Sequence, residues 1–257
     1  MEGEAVRGPR DLLRSLTLPI AALVAVLVVA AWYVTWVTSD VMMAFVGVPT
    51  SSEGALGLTL AFLLLVVMMV AMMLPSALPM ILTYTGITRL NHGQAVRPAD
   101  RVGTAFFASA YFVVWGLFAV VALLGLMGLG LLGPVDGAWL LVPAAVLLAS
   151  GAYQVTRAKE ACLSACQSPM GFVMTHWRSG RRGAWRMGLD HAAYCIGCCW
   201  LFMLVLFVAG AMSLLWMGAI SVAIFLEKTG WRPVFVSRAI GVALVAVGFL
   251  FAAQAFV

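Results

Sequence analysis

The residues of this sequence best suited to chemistry are its five cysteines, which all lie between positions 162 and 199. Cys162 and Cys166 are four residues apart, a spacing that places two side chains on one face of a helix. Cys195, Cys198 and Cys199 have the i, i+3, i+4 spacing and share a face in the same way. A single helical cysteine is explained well enough as a small packing residue. Five in one stretch instead favour a site at which thiols bind a metal ion or exchange disulfides.

Sulfur donors of a second kind occur earlier in the chain. Met68, Met69, Met72 and Met73 form two i, i+4 pairs along one helical stripe, although methionine is also the common gap filler of an apolar core. Thiolates and thioethers together select soft transition metals, above all Cu(I), with zinc as the alternative. His191 is either a further ligand or a polar residue at the membrane interface. The predicted metal ligands are therefore Cys162, Cys166, Cys195, Cys198 and Cys199, with Met72, Met73 and His191 as second choices.

Two other interpretations of the cysteines stay open. A membrane thiol–disulfide oxidoreductase would use the pair Cys195 and Cys198 at a helix N-terminus, where the helix dipole stabilises a thiolate. A structural metal site would only attach the segment 157–188 to the rest of the protein. Asp190 is predicted to cap the helix that carries Cys195. The sequence has no nucleotide-binding loop, nucleophile elbow or zincin motif, so it assigns no enzymatic reaction.

The composition indicates a membrane protein. Of the 257 residues, 64% are hydrophobic and 10% are charged, whereas a typical soluble domain is about 25% charged. The apolar residues come in blocks of about 20, the length with which a helix crosses a bilayer. The net charge of +5 arises from cations between these blocks, where they set the topology. The lipid bilayer is therefore the predicted partner, and nucleic acid is not.

Seven apolar segments predict an all-α, polytopic transmembrane bundle, with six spans as the alternative. The segments are 17–38, 56–82, 103–132, 138–156, 189–209, 211–226 and 234–256. Connections that contain Lys and Arg alternate with connections that lack them, and the residues before the first segment are basic. The positive-inside rule then places the N-terminus in the cytoplasm and the C-terminus outside, in a multi-pass protein of a bacterial-type inner membrane.

This topology divides the chain into two parts. Residues 1–16 are predicted as a cytoplasmic tail, and residues 17–257 as a single transmembrane domain. The basic connection 157–188 is its sizeable extramembrane piece, with a short helix predicted at 157–167. Both groups of cysteines fall on the cytoplasmic side, where a reducing environment disfavours disulfides. Glu227 and Lys228 are predicted to anchor the end of the sixth segment at the interface.

Three short runs of the sequence resemble a family of membrane proteins. The runs are Met72 to Pro75, then Lys159, Cys162, Cys166 and Pro169, then Tyr194 to Trp200 with its core of Gly197, Cys198 and Cys199. Over residues 60–230 the chain resembles domain of unknown function 2182, a family of predicted metal-binding integral membrane proteins. The resemblance implies metal binding and specifies no reaction. The resulting hypothesis is a membrane protein that handles copper or another soft metal ion, with a metallochaperone or cuproprotein as partner.

Overall fold

The computed structural model describes residues 9–40, 54–90, 100–128, 141–208, 213–230 and 232–254. Within these ranges the regular structure is entirely helical, and the all-α prediction is confirmed. Nine helices occur there: α1 (Pro9–Val37), α2 (Gly54–Leu90), α3 (Arg101–Gly128), α4 (Leu141–Tyr153), α5 (Arg157–Gln167), α6 (Pro169–Thr175), α7 (Gly180–Val208), α8 (Leu214–Thr229) and α9 (Pro233–Gln254).

Each of the seven predicted apolar segments contains a helix, but the helices differ in length. Five of them, α1, α2, α3, α7 and α9, are long and apolar enough to cross a membrane. The described parts of α4 and α8 are shorter, with 13 and 16 residues, whereas a straight span takes about 20. The count of seven spans therefore stays a prediction. Three boundaries also differ clearly from expectation, since α1 begins at Pro9, α2 ends at Leu90 and α7 begins at Gly180.

The outer surface of the bundle carries large apolar side chains. Leu215, Val242 and Phe235 are 78%, 71% and 69% exposed. A soluble monomer rarely exposes contiguous apolar surface of this kind, because water does not solvate it favourably. The distribution suits a helical bundle whose exterior faces lipid hydrocarbon.

Helix α2 is the longest described helix and contains two prolines. Pro75 has no backbone N–H, so the carbonyl of Ala71, four residues earlier, loses its helical hydrogen bond. The indole Nε1 of Trp32 on α1 donates a hydrogen bond to this carbonyl at 3.1 Å. The proline break in α2 thus provides the acceptor that attaches α1 to the bundle.

Helix α7 packs against α3, α4 and α5, and two of these contacts depend on small residues. Gly188 of α7 lies directly against the backbone of Phe107 on α3. Gly197 of α7 makes room for the thiol of Cys162 on α5, because a Cβ at Gly197 would lie 2.6 Å from that sulfur. Small residues allow this close approach of helices in membranes. The two glycines thus bring α3 against α7 about two turns before Cys195, and α5 against α7 among the cysteines.

We expect Gly188→Ala to destabilise the protein by about 1–3 kcal/mol, the usual effect of overpacking a core. The new Cβ would collide with the carbonyl oxygen of Phe107 and lie 2.8 Å from the Cβ of Ala110. Gly218→Ala is the matched control, because no atom lies within 4 Å of the position that its new Cβ would occupy. Gly218→Ala should leave the free energy of unfolding unchanged or raise it by up to about 1 kcal/mol, because alanine has a higher helix propensity than glycine. Thermal unfolding in detergent measures both, and equal midpoints would contradict the close α3–α7 contact.

Candidate metal centre

Three sulfur atoms of α7 form a compact group in the protein interior. The Sγ atoms of Cys195, Cys198 and Cys199 lie within 4.8 Å of one another. The three residues are 0%, 2% and 2% exposed. The thiols of Cys198 and Cys199 donate hydrogen bonds to the carbonyl oxygen of Cys195, at 3.1 and 2.8 Å. The predicted helical spacing therefore does place these three sulfurs together.

Helix α5 brings the other two cysteines to α7. Hydrogen bonds with the thiols of Cys195 and Cys198 raise the pKa of Cys166 well above its usual value, so the Cys166 thiol is in contact range of that group. Cys162 is partly exposed and lies beside Gly197, and burial raises the pKa of its thiol. Cys166 thus lies beside Cys195 and Cys198 but outside the group of three sulfurs that are within 4.8 Å of one another, and Cys162 lies at the accessible edge of the site.

A thioether of α2 completes the sulfur group. The Sδ of Met73 is 3.8 Å from the Sγ of Cys199. Met73 is fully buried, and Met72, Met68 and Met69 beside it are at most 1% exposed. Of the two methionines predicted as ligands, Met73 is in contact with a cysteine sulfur, while Met72 packs in the same core.

A buried lysine binds the sulfur of Cys195. The Nζ of Lys228 lies 2.8 Å from this Sγ and 3.2 Å from the Oγ of Ser76. The hydroxyl of Tyr111 is 2.9 Å from the same sulfur. An ammonium group has only donors, so the sulfur of Cys195 is the acceptor in this contact. Lys228 therefore places a positive charge beside this sulfur within an apolar environment, which favours the thiolate form of Cys195.

A second buried lysine connects three helices around the site. Lys159 of α5 is 1% exposed, and its Nζ donates to the carboxylate of Glu227 at 2.7 Å and to the backbone carbonyl of Cys198. The bond to Cys198 holds α5 against α7, and the ion pair adds α8. The amide of Gln167 also donates to the carbonyl of Glu227, at 2.7 Å. These contacts keep Cys166 beside the α7 thiols.

Two sequence-based roles are corrected by these positions. Glu227 and Lys228 are not interfacial anchors, because they are 1% and 7% exposed and contact Lys159 and Cys195. Asp190 is not a helix cap, because α7 begins ten residues earlier, at Gly180. Its carboxylate instead lies 3.6 Å from the guanidinium of Arg178 in a partly exposed pair.

His191 lies one turn before Cys195 in an aromatic environment. Its ring stacks on Phe107 and Tyr111, with centroids 6.2 and 6.0 Å away, and meets the edge of Phe172 at 5.5 Å. It is 3% exposed, and its Nδ1 has no hydrogen-bond partner among the described residues. This leaves a buried ring nitrogen with a free donor or acceptor beside the thiol group.

Sequence reasoning missed Tyr111, Ser76 and the role of Lys228. A signal existed for the lysine, since an ionisable residue next to an apolar segment is costly to bury unless it has a partner. Tyr111 and Ser76 carry no comparable signal, because single hydroxyls are common in membrane helices. Their proximity to Cys195 depends on the packing of α2 and α3 against α7.

Comparison with known proteins gives one family. A family model described as PpoB2, copper chaperone, matches residues 62–251. Comparisons with curated proteins and with solved structures give no match. The resemblance noted in the sequence is thus supported for a metal-related family, under a different family name from domain of unknown function 2182. Because the match covers most of the 257 residues, the chain belongs to the PpoB2 copper chaperone family.

Proposed function

We propose that this protein binds Cu(I) as cargo within the cell membrane and transfers it to a second protein. The observation that carries the proposal is the buried group of three α7 sulfurs within 4.8 Å of one another. Cys166 and Met73 add a fourth thiol and a thioether to this group. A donor set of thiolates and thioethers suits a soft monovalent ion better than any hard cation.

The sulfur positions fit a shared ion with small adjustments. Two sulfur ligands of one ion, each about 2.3 Å from it, are at most about 4.6 Å apart. The observed limit of 4.8 Å requires only small rotations of the thiol side chains. Cys198 and Cys199 would give up their hydrogen bonds to the Cys195 carbonyl when they bind, and they would release their protons. The ligands we propose are Cys166, Cys195, Cys198 and Cys199, with Met73 as a weaker thioether donor.

The buried charge separates copper from zinc only when few thiolates bind. Two thiolates around Cu(I) carry a net negative charge, which Lys228 offsets from 2.8 Å, whereas two thiolates around a divalent zinc ion leave the ammonium without a net counter-charge. With three or four thiolates both sites are negative, and the preference for copper then rests on the soft sulfur donors. Zinc is still the competing metal, because four cysteine thiolates form the common closed zinc site. His191 and Met72 stay secondary candidates for ligation.

Transfer to a partner requires a route to the surface, and Cys162 provides a sulfur there. It is the partly exposed cysteine of the five, and it lies on the same face of α5 as Cys166. An ion passed between thiolates by ligand exchange stays coordinated throughout. We propose that a metallochaperone or cuproprotein exchanges copper at Cys162, on the cytoplasmic side according to the distribution of basic residues.

Metal content of the full-length protein tests this function. Protein purified without oxygen after growth with copper should contain about one copper per chain, and X-ray absorption at the copper edge should show sulfur ligands only. Competition with equimolar zinc should leave the copper in place. Replacement of copper by zinc would support a structural zinc site instead. A metal-free protein with a Cys195–Cys198 disulfide that exchanges with a partner would establish the oxidoreductase alternative.

A further inference from the structure

A lateral groove lies between α1 and α3, away from the thiol group. Both helices pack on α2, and they leave between them a cavity of about 390 Å³. This volume falls within the range of about 300–1,000 Å³ that is usual for small-molecule sites. Ala105 and Ala108 of α3 line the groove, and these small side chains leave the space open.

The polar groups of the groove are confined to one end. Arg101 stands at the first residue of α3, and Thr85 and Thr104 lie beside it with their hydroxyl oxygens 3.1 Å apart. The guanidinium of Arg101 is exposed and forms no ion pair with any residue that the structure describes. From there to Leu27, Leu74 and Phe112 the lining is apolar. The groove therefore has a cationic mouth and a hydrocarbon-like interior.

The length of the groove matches one leaflet of a bilayer. Arg101 and Phe112 are eleven residues apart on α3, which corresponds to a rise of about 16 Å. Half of a hydrocarbon core of about 30 Å is about 15 Å. The sequence also has Arg10 and Arg14 in the first turns of α1 and Arg89 in the last turn of α2. These turns lie at the end of the bundle where Arg101 begins α3.

We propose that this groove binds an anionic phospholipid, with its phosphate at Arg101 and one acyl chain along Ala105 and Ala108. A cation at the level of the headgroups attracts anionic lipids, and basic pockets between membrane helices recognise their phosphates. The acyl chain fills the apolar length of the groove. The site is independent of the proposed copper binding, because its residues occupy other faces of α2 and α3 than Met73 and Tyr111.

Native mass spectrometry of the delipidated full-length protein tests the proposal, with phosphatidylglycerol and phosphatidylcholine as probes. We expect one phosphatidylglycerol per chain, bound at least about fivefold more tightly than phosphatidylcholine, the factor that one interfacial cation contributes. Arg101→Gln should abolish this preference. Arg232→Gln, which removes an exposed arginine outside the groove, should keep it.

A second pair of variants tests the position of the acyl chain. Ala108→Trp should fill the groove and reduce binding of both lipids at least tenfold, whereas Val113→Trp, at a 53% exposed position of the same helix, should not. Circular dichroism and size-exclusion chromatography verify folding, and Ala105→Leu is the smaller obstruction if Ala108→Trp misfolds. An unchanged lipid preference in Arg101→Gln would overturn the proposal. Binding of a neutral lipid such as a quinone in place of phosphatidylglycerol would overturn it as well.

Discussion

Cys198→Ser should lower the affinity for copper at least about 100-fold, so that the purified protein contains far less than one copper per chain. Loss of a residue that only hydrogen-bonds to a metal ligand already reduces affinity about 10–100-fold, and loss of a ligand itself should exceed that. Serine keeps the hydrogen bond that Cys198 donates to the Cys195 carbonyl at 3.1 Å. The metal-free fold should therefore persist, and the loss of copper would report on ligation.

Cys162→Ser is the matched control, because it makes the same chemical change at the partly exposed edge of the site. We expect this variant to keep its copper and to exchange it more slowly with a partner. Copper content by mass spectrometry and exchange with a Cu(I) chelator measure the two effects. Full copper in Cys198→Ser would mean that this cysteine is a packing residue, and it would remove the basis of the proposed site.

Lys159→Met should destabilise the protein by about 3–5 kcal/mol, the effect of removing one partner of a buried ion pair. The carboxylate of Glu227 would then be buried without its cation, and its Oε1 already has no partner among the described residues. The link from α5 to the Cys198 carbonyl would also be lost. Copper affinity should fall too, because Cys166 is carried by α5.

Two comparisons separate the buried charge from other effects of the substitution. Lys159→Met combined with Glu227→Gln should recover part of the lost stability, because no unpaired charge is left inside. Arg178→Gln breaks the exposed pair with Asp190, whose side chains are 47% and 38% exposed, and should cost about 1 kcal/mol or less. Denaturant unfolding in detergent measures all three variants. A loss of less than about 1 kcal/mol in Lys159→Met would show that the pair is not important for stability.

Much of the site within one helix was predictable from the sequence. The i, i+3, i+4 spacing of Cys195, Cys198 and Cys199 brings their sulfurs together in any α-helix, whatever packs around it. The helix at 157–167 was predicted with the same bounds as the observed α5. The start of α7 was missed, because the polar and glycine-containing residues from Gly180 onward are typical of a connection. In the structure they form the first turns of one long helix.

Contacts between helices could not be derived in the same way. A helix that is apolar on all its faces has no sequence pattern to indicate which face meets its neighbours. Lys228 lies 33 residues from Cys195 in the chain, Tyr111 lies 84 residues away, and Met73 is 126 residues from Cys199. Each contact depends on the rotation of one helix about its axis relative to α7.

The sequence alone therefore determined an all-helical fold, helices long and apolar enough to cross a membrane, and a local sulfur group, because block length and helical spacing are properties of short segments. The tertiary structure decided the charge and the boundaries of the site. Lys228 and Glu227 were predicted as interfacial anchors. In the structure both are buried, Lys228 in contact with Cys195 and Glu227 in an ion pair with Lys159. The physical reason is that an ionisable group in an apolar bundle is stable only beside an opposite charge, and which charge is near depends on how the helices pack.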